Sequence, residues 1–166
     1  VISGTAEARP QAIRRLVYVT ALLPRPGDSV LSLTSTDTES TLSAGLTDDG
    51  SDGSLDLDST QFVGIFCGDC SRSQAYTLMS LYRTEPSLAF GQPLTLTDAR
   101  FGTVPRAYLF TTNDRALSRA FQGRMVAASP VVATAELSTS HSPFLTMPIE
   151  TAAAIETLAR DTGTQK

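Results

Sequence analysis

Apolar positions change their spacing along the chain, and each spacing predicts a different element. Leu16-Val17-Tyr18-Val19-Thr20-Ala21-Leu22-Leu23 is an almost unbroken apolar run of strand length, the pattern of a strand covered on both faces as in a parallel sheet. Pro24-Arg25-Pro26-Gly27 stops it abruptly. Ahead of it, residues 5–15 carry the helix formers Ala6, Ala8, Ala12 and Ile13, with Pro10 interrupting them.

The middle of the chain is weaker in pattern. Leu31 and Leu33, then Leu55 and Leu57, alternate with polar residues and predict short half-exposed strands, with a turn at Asp48-Asp49-Gly50-Ser51-Asp52-Gly53. Phe62-Val63-Gly64-Ile65-Phe66 is a weak strand candidate. From Ser71 to Tyr82, Ala75, Leu78, Met79 and Tyr82 recur at three- and four-residue spacing, which predicts an amphipathic helix capped by Ser71 or Ser73 and ended by Glu85-Pro86. The last third alternates between the two periods. Residues 106–112 predict a strand, 115–127 a helix striped by Leu117, Phe121 and Met125, 131–137 a strand, and 148–160 a terminal helix. Strand-helix-strand-helix order with short connections is the βαβ pattern, so an α/β fold with about three parallel strands and flanking helices is expected.

Charge and composition narrow the function. Thirteen basic residues face seventeen acidic ones, and Lys166 is the sole lysine, so no broad basic surface for nucleic acid can form. Residues 28–69 hold nine of the acidic residues and no Lys or Arg, which marks an inserted excursion rather than core. No apolar run approaches the roughly 18 residues of a membrane helix. Val1-Ile2-Ser3-Gly4 carries neither a basic leader region nor a long apolar stretch, so no signal peptide is read and a cytoplasmic location is expected. The same start, without an initiator Met, also fits a chain that begins in the middle of a larger fold.

Two residues stand where chemistry is done in open α/β sheets, beyond the carboxyl ends of the strands. His141, the one histidine, lies in the polar loop Ser138-Thr139-Ser140-His141-Ser142 after the strand at 131–137. Asp114 lies just past the strand at 106–112. If the two strands are neighbours, the carboxylate can fix the imidazole tautomer and stabilise the imidazolium. Asp114 is equally placed to cap the helix that follows, and one position can serve both ends. Cys67-Gly68-Asp69-Cys70 has the C-x2-C spacing of zinc and redox sites, but a closed zinc site lacks further ligands, so two thiols and no metal are expected. The acidic run at 48–58 departs from a calcium loop at Gly50 and Ser59. No cofactor is implied.

Taken together, these segments resemble the C-terminal portion of an α/β-hydrolase, in the branch of small esterases related to plant methylesterases and hydroxynitrile lyases. The resemblance runs through Arg15-Leu16-Val17-Tyr18-Val19-Thr20-Ala21-Leu22-Leu23-Pro24 and through Phe66, Asp69-Cys70, Ala75, Leu81 and Glu85-Pro86. It continues in Phe101-Gly102-Thr103-Val104-Pro105-Arg106, Asn113-Asp114-Arg115, Phe121-Gln122 and Ser140-His141-Ser142-Pro143-Phe144-Leu145. It implies a partial α/β-hydrolase fold, with residues 1–27 and 99–166 as core and 28–98 as an inserted cap. It also implies Asp114 as the triad acid and His141 as the general base, 27 positions apart. The third member is absent: no Gly-x-Ser-x-Gly occurs in the chain, and the family's nucleophile would fall upstream of Val1. Ser3 is a poor substitute, because no strand and no flanking glycine pair make it an elbow.

The function implied is hydrolysis of small carboxylic esters with apolar parts once an N-terminal half completes the site; the isolated chain is expected to be inactive and to self-associate or to need an N-terminal partner chain. Hydroxynitrile-lyase chemistry is disfavoured, since that branch places a lysine close to the triad histidine and Ser142 follows His141 here. A catalytically inactive remnant that binds a partner or a small hydrophobe is the other reading, and the sequence upstream of Val1 separates the two.

Overall fold

A computed structural model describes residues 1–47 and 53–160. In chain order the elements are α1 (Ile2–Ala8), β1 (Leu16–Val19), α2 (Val30–Thr34), α3 (Leu42–Gly45), β2 (Leu46–Thr47), β3 (Ser54–Leu57), α4 (Ser59–Phe66) and α5 (Arg72–Leu81). They continue with β4 (Glu85–Pro86), α6 (Ser87–Gly91), β5 (Arg106–Thr111), α7 (Arg119–Ala128), β6 (Ala133–Leu137), α8 (Pro143–Thr146) and α9 (Pro148–Ala159). Two sheets form among the described residues, one in the order β1-β5-β6 and a small one in the order β2-β3-β4.

The larger sheet is parallel throughout, with Leu16 opposite Arg106 and Ala107 opposite Ala133. Its side chains alternate between two apolar layers, as a strand's period of two requires. Leu16, Tyr18, Tyr108 and Phe110 face one layer, shared with Ala6 of α1 and with Leu117, Phe121 and Met125. Ala107 and Leu109 face the other, where Leu158 and Ala154 of α9 close over Val17, Val19 and Ala135. Near-continuous apolar strands are the mark of a sheet covered on both faces, and β1 and β5 are so covered, whereas β6 turns Thr134 and Glu136 to solvent. Arg15, at the entry to β1, donates to the carbonyls of Leu158 (2.8 Å) and Arg160 (2.6 Å) and so ties the end of α9 to the sheet.

Several elements differ from the expectation, each for a local reason. The first strand ends at Val19 instead of Leu23, because Thr20 adopts a positive φ of 41° and turns the chain. The helix ahead of it stops at Ala8, and Pro10 opens a separate 3-10 turn over Pro10–Ala12. Leu31 and Leu33 lie in α2, not in a strand; Ser29 and Ser32 form a reciprocal capping box that starts the helix there. Phe62–Phe66 is helical too, within α4, which Asp58 caps by accepting from the Thr60 N–H.

The helix expected over 115–127 begins at Arg119, because Asp114 accepts the N–H groups of Ala116 and Leu117 and holds 114–117 as a turn. The strand at Leu55 and Leu57 is present as β3, paired antiparallel with β2 and β4. The helix expected over 71–82 is present as α5, with Ser71 as its cap and Ala75, Leu78, Met79 and Tyr82 half-buried along one stripe. The acidic turn lies outside the described residues except for Gly53; of the run at 48–58 compared with a calcium loop, Ser54–Leu57 forms β3 and Asp58 caps α4. Cys67 and Cys70 are joined in a disulfide and are not the two thiols expected. Among the described residues no helix is long and apolar enough to cross a membrane.

Candidate active site

Three strand ends converge at one edge of the parallel sheet. Thr20 follows β1, Asp114 follows β5, and His141 follows β6, so the strand order alone brings the three side chains together. His141 Nδ1 lies 2.8 Å from Asp114 Oδ2, with the carboxylate fully buried and the imidazole 22% exposed. The two residues expected to meet do meet, at the carboxyl ends of neighbouring parallel strands.

The carboxylate is held from both sides. Asp114 Oδ1 accepts the backbone N–H groups of Ala116 and Leu117, each at 2.8 Å. Oδ2 accepts from the Thr20 hydroxyl in a short bond, from Thr111 Oγ1 at 3.0 Å and from Gln122 Nε2 at 3.3 Å. The capping role and the histidine-facing role are therefore divided between the two oxygens. Burial on its own pushes the Asp114 carboxyl up. The hydrogen bond and charge of His141, with the bonds from Thr20 and Leu117, outweigh it and hold the group below the ordinary carboxyl range. An ionised carboxylate on Nδ1 keeps the Nδ1 proton and leaves Nε2 as the nitrogen that can exchange one.

Thr20 is the member the sequence reading missed. Its hydroxyl sits 3.3 Å from His141 Nδ1, donates to Asp114, and accepts from Thr111 Oγ1 at 2.8 Å. A β-branched residue at positive φ is a conformational outlier, and such strain persists where surrounding contacts over-determine it. The sequence pattern hid it, because the apolar run to Leu23 carries the expected strand past Thr20, and only the turn at its positive φ puts the hydroxyl beyond the strand's carboxyl end.

The segment between β1 and β5 also reaches this edge. The ring of Phe66, from the end of α4, stands edge-on to the His141 imidazole with centroids 5.3 Å apart. Asp69 accepts from Thr139 and Ser140, the two residues ahead of His141. Gln74 Nε2 of α5 donates to the Leu145 carbonyl beyond it. Ser3, by contrast, is buried within α1 with its hydroxyl 2.8 Å from that of Tyr18. The structure spends that serine on packing.

No protein-family model matches the chain, and no curated protein sequence does. Solved structures do. Polyneuridine aldehyde esterase superposes with a TM-score of 0.81 at 19% identity, covering 96% of this chain and 67% of that one. An extracellular α/β-hydrolase from a Paenibacillus species gives 0.82 at 22% identity, with the same coverage. A pyrethroid hydrolase from Sphingobium faniae gives 0.79 at 24% identity over 95% of this chain and 65% of its own. With its two-faced parallel sheet and these neighbours, the chain has the α/β-hydrolase fold, over about two thirds of the length of the proteins that share it.

Proposed function

We propose that this chain carries the general base and the orienting acid of an esterase-type serine hydrolase acting on small carboxylic esters. The observation that supports it is the contact of Asp114 Oδ2 with His141 Nδ1 at 2.8 Å, on a buried carboxylate held ionised by its neighbours. In the complete site, His141 Nε2 takes the proton of the attacking serine hydroxyl and returns it to the departing alkoxide. Asp114 keeps the ring in one tautomer and stabilises the imidazolium between the two steps. The serine and its oxyanion-stabilising N–H groups are proposed to lie N-terminal to Val1. Residues 28–98 act in this reading as the cap, where the Phe66 edge against the imidazole favours esters with apolar parts. The neighbours named for esterase and pyrethroid-hydrolase activity point the same way.

The test is to join the chain to the residues that precede it in its gene and to treat the product with a fluorophosphonate. Labelling of an upstream serine in the parent, lost in His141→Ala, is the expected result. Labelling that His141→Ala leaves unchanged would overturn the assignment. The remnant reading keeps one observation on its side: Ser3 is bonded to Tyr18. It is favoured if no Gly-x-Ser-x-Gly precedes Val1. Disulfides persist in oxidising compartments and are rare in the cytoplasm, so Cys67–Cys70 bears against the cytoplasmic location expected from the sequence.

A further inference from the structure

The loop that carries His141 is held on one side by the sheet and on the other by a residue with no part in the acid–base pair. On the sheet side, the N–H of Thr112 donates to the Leu137 carbonyl at 3.1 Å and that of Asn113 to the Thr139 carbonyl at 3.0 Å. On the other side stands Asp69, between α4 and α5. Its Oδ2 accepts from Thr139 Oγ1 at 2.6 Å and from the Ser140 N–H at 3.0 Å, and its Oδ1 accepts from the Ser140 hydroxyl in a short bond. Thr139 and Ser140 are both buried, so these donors have no ready alternative in water.

We infer that Asp69 is a positioning residue: its carboxylate clamps the two residues ahead of His141 and so sets the imidazole against Asp114. The inference rests on the proposed role of that pair and adds a residue from outside it. Three charge-assisted hydrogen bonds to adjacent residues fix a loop's direction more firmly than one, because they define a plane and not a point. Asp69 itself cannot drift, since the disulfide between Cys67 and Cys70 closes the short loop that carries it. Burial pushes the Asp69 carboxyl up, but the bonds from Ser140 and Thr139 hold it below the ordinary range, so it stays an acceptor at neutral pH. Phe66, at the end of α4 just ahead of that loop, stands 5.3 Å from the imidazole centroid. The intervening segment therefore does more than cover the site; through Asp69 it determines where the base sits.

His141 is the one histidine, so a chain labelled with 15N-histidine reports a single imidazole. Magic-angle-spinning NMR at alkaline pH reads its tautomer whether or not the chain associates. The parent chain is expected to show the Nδ1–H form that faces Asp114. Asp69→Ala is expected to shift the ratio toward Nε2–H by roughly tenfold, while Asp69→Asn, which keeps an oxygen acceptor, stays nearer the parent. Asp58→Ala, which removes the α4 cap, serves as the control for general loosening of the same segment. An Asp69→Ala chain that keeps the parent tautomer and loses only as much melting temperature as Asp58→Ala would overturn the inference. A parent chain already in the Nε2–H form would overturn the Asp114–His141 pair itself, and the positioning role with it.

Discussion

At the residue scale, the buried Asp114 carboxylate gathers donors from Thr20, Thr111, Ala116, Leu117 and Gln122 beside its contact with His141. Strand order and loop position point to Asp114 and His141 from the sequence alone, because the ends of parallel strands are where a sheet offers unsealed space. Thr20, Thr111 and Gln122 were not legible, since their roles depend on which rotamers a buried carboxylate recruits. The depressed Asp114 carboxyl has a consequence for stability. A group whose folded value lies below its ordinary 3.8 contributes stability above that value and loses it as the pH falls through the folded one. Urea unfolding from pH 7 down to pH 2.5 is therefore expected to show stability falling below about pH 4, with a shallower fall in Asp114→Asn; parallel profiles would contradict this. Thr20 separates strain from bonding. Thr20→Ala keeps the positive φ and loses the bond to the carboxylate, an expected cost of about 1.5–3 kcal/mol. Thr20→Ser keeps the hydroxyl and is expected within about 1 kcal/mol of the parent in the same measurement.

At the element scale, long periodic segments were readable and short ones only in part: the strand at Leu55 and Leu57 was expected, the helix at Leu31 and Leu33 was not. The helices at 119–128 and 148–159 and the strands at 106–111 and 133–137 carry enough apolar positions for their period to show. Leu31 and Leu33 supply only one interval, too little to set a period, and in α2 that spacing puts them on opposite faces, with Leu31 exposed and Leu33 half-buried. The spacing of Phe62, Ile65 and Phe66 does fit a helix, and Asp58 ahead of them is a helix start; the apolar density of the run hid both. Packing follows from the elements that were readable. Leu158 of α9 is the buried contact that seals Ala107 and Leu109, whereas Ile149 of the same helix is 80% exposed. Leu158→Ala is expected to cost about 2–5 kcal/mol and Ile149→Ala no more than about 0.5 kcal/mol, read by thermal unfolding of the two variants side by side.

At the scale of the whole molecule, β1 decides how the chain behaves in solution. It pairs with β5 on one side, and among the described residues no strand pairs with its other side. Alternation along a parallel strand leaves the N–H and C=O groups of Val17 and Val19 facing that open side, on a stretch with no proline and no lysine to blunt it. The chain is expected to self-associate at low micromolar concentration in sedimentation velocity; a monomer that unfolds cooperatively would show the edge to be guarded. The resemblance visible in the motifs and the likeness of fold agree over nearly all of this chain. The most direct test is kcat/KM for an unactivated methyl or ethyl ester, measured on the complete protein that contains this chain, in the parent and in His141→Ala. Saturable turnover is expected in the parent and a loss of roughly 10³-fold or more in the variant. Turnover that survives His141→Ala to within tenfold would contradict the proposed role of His141.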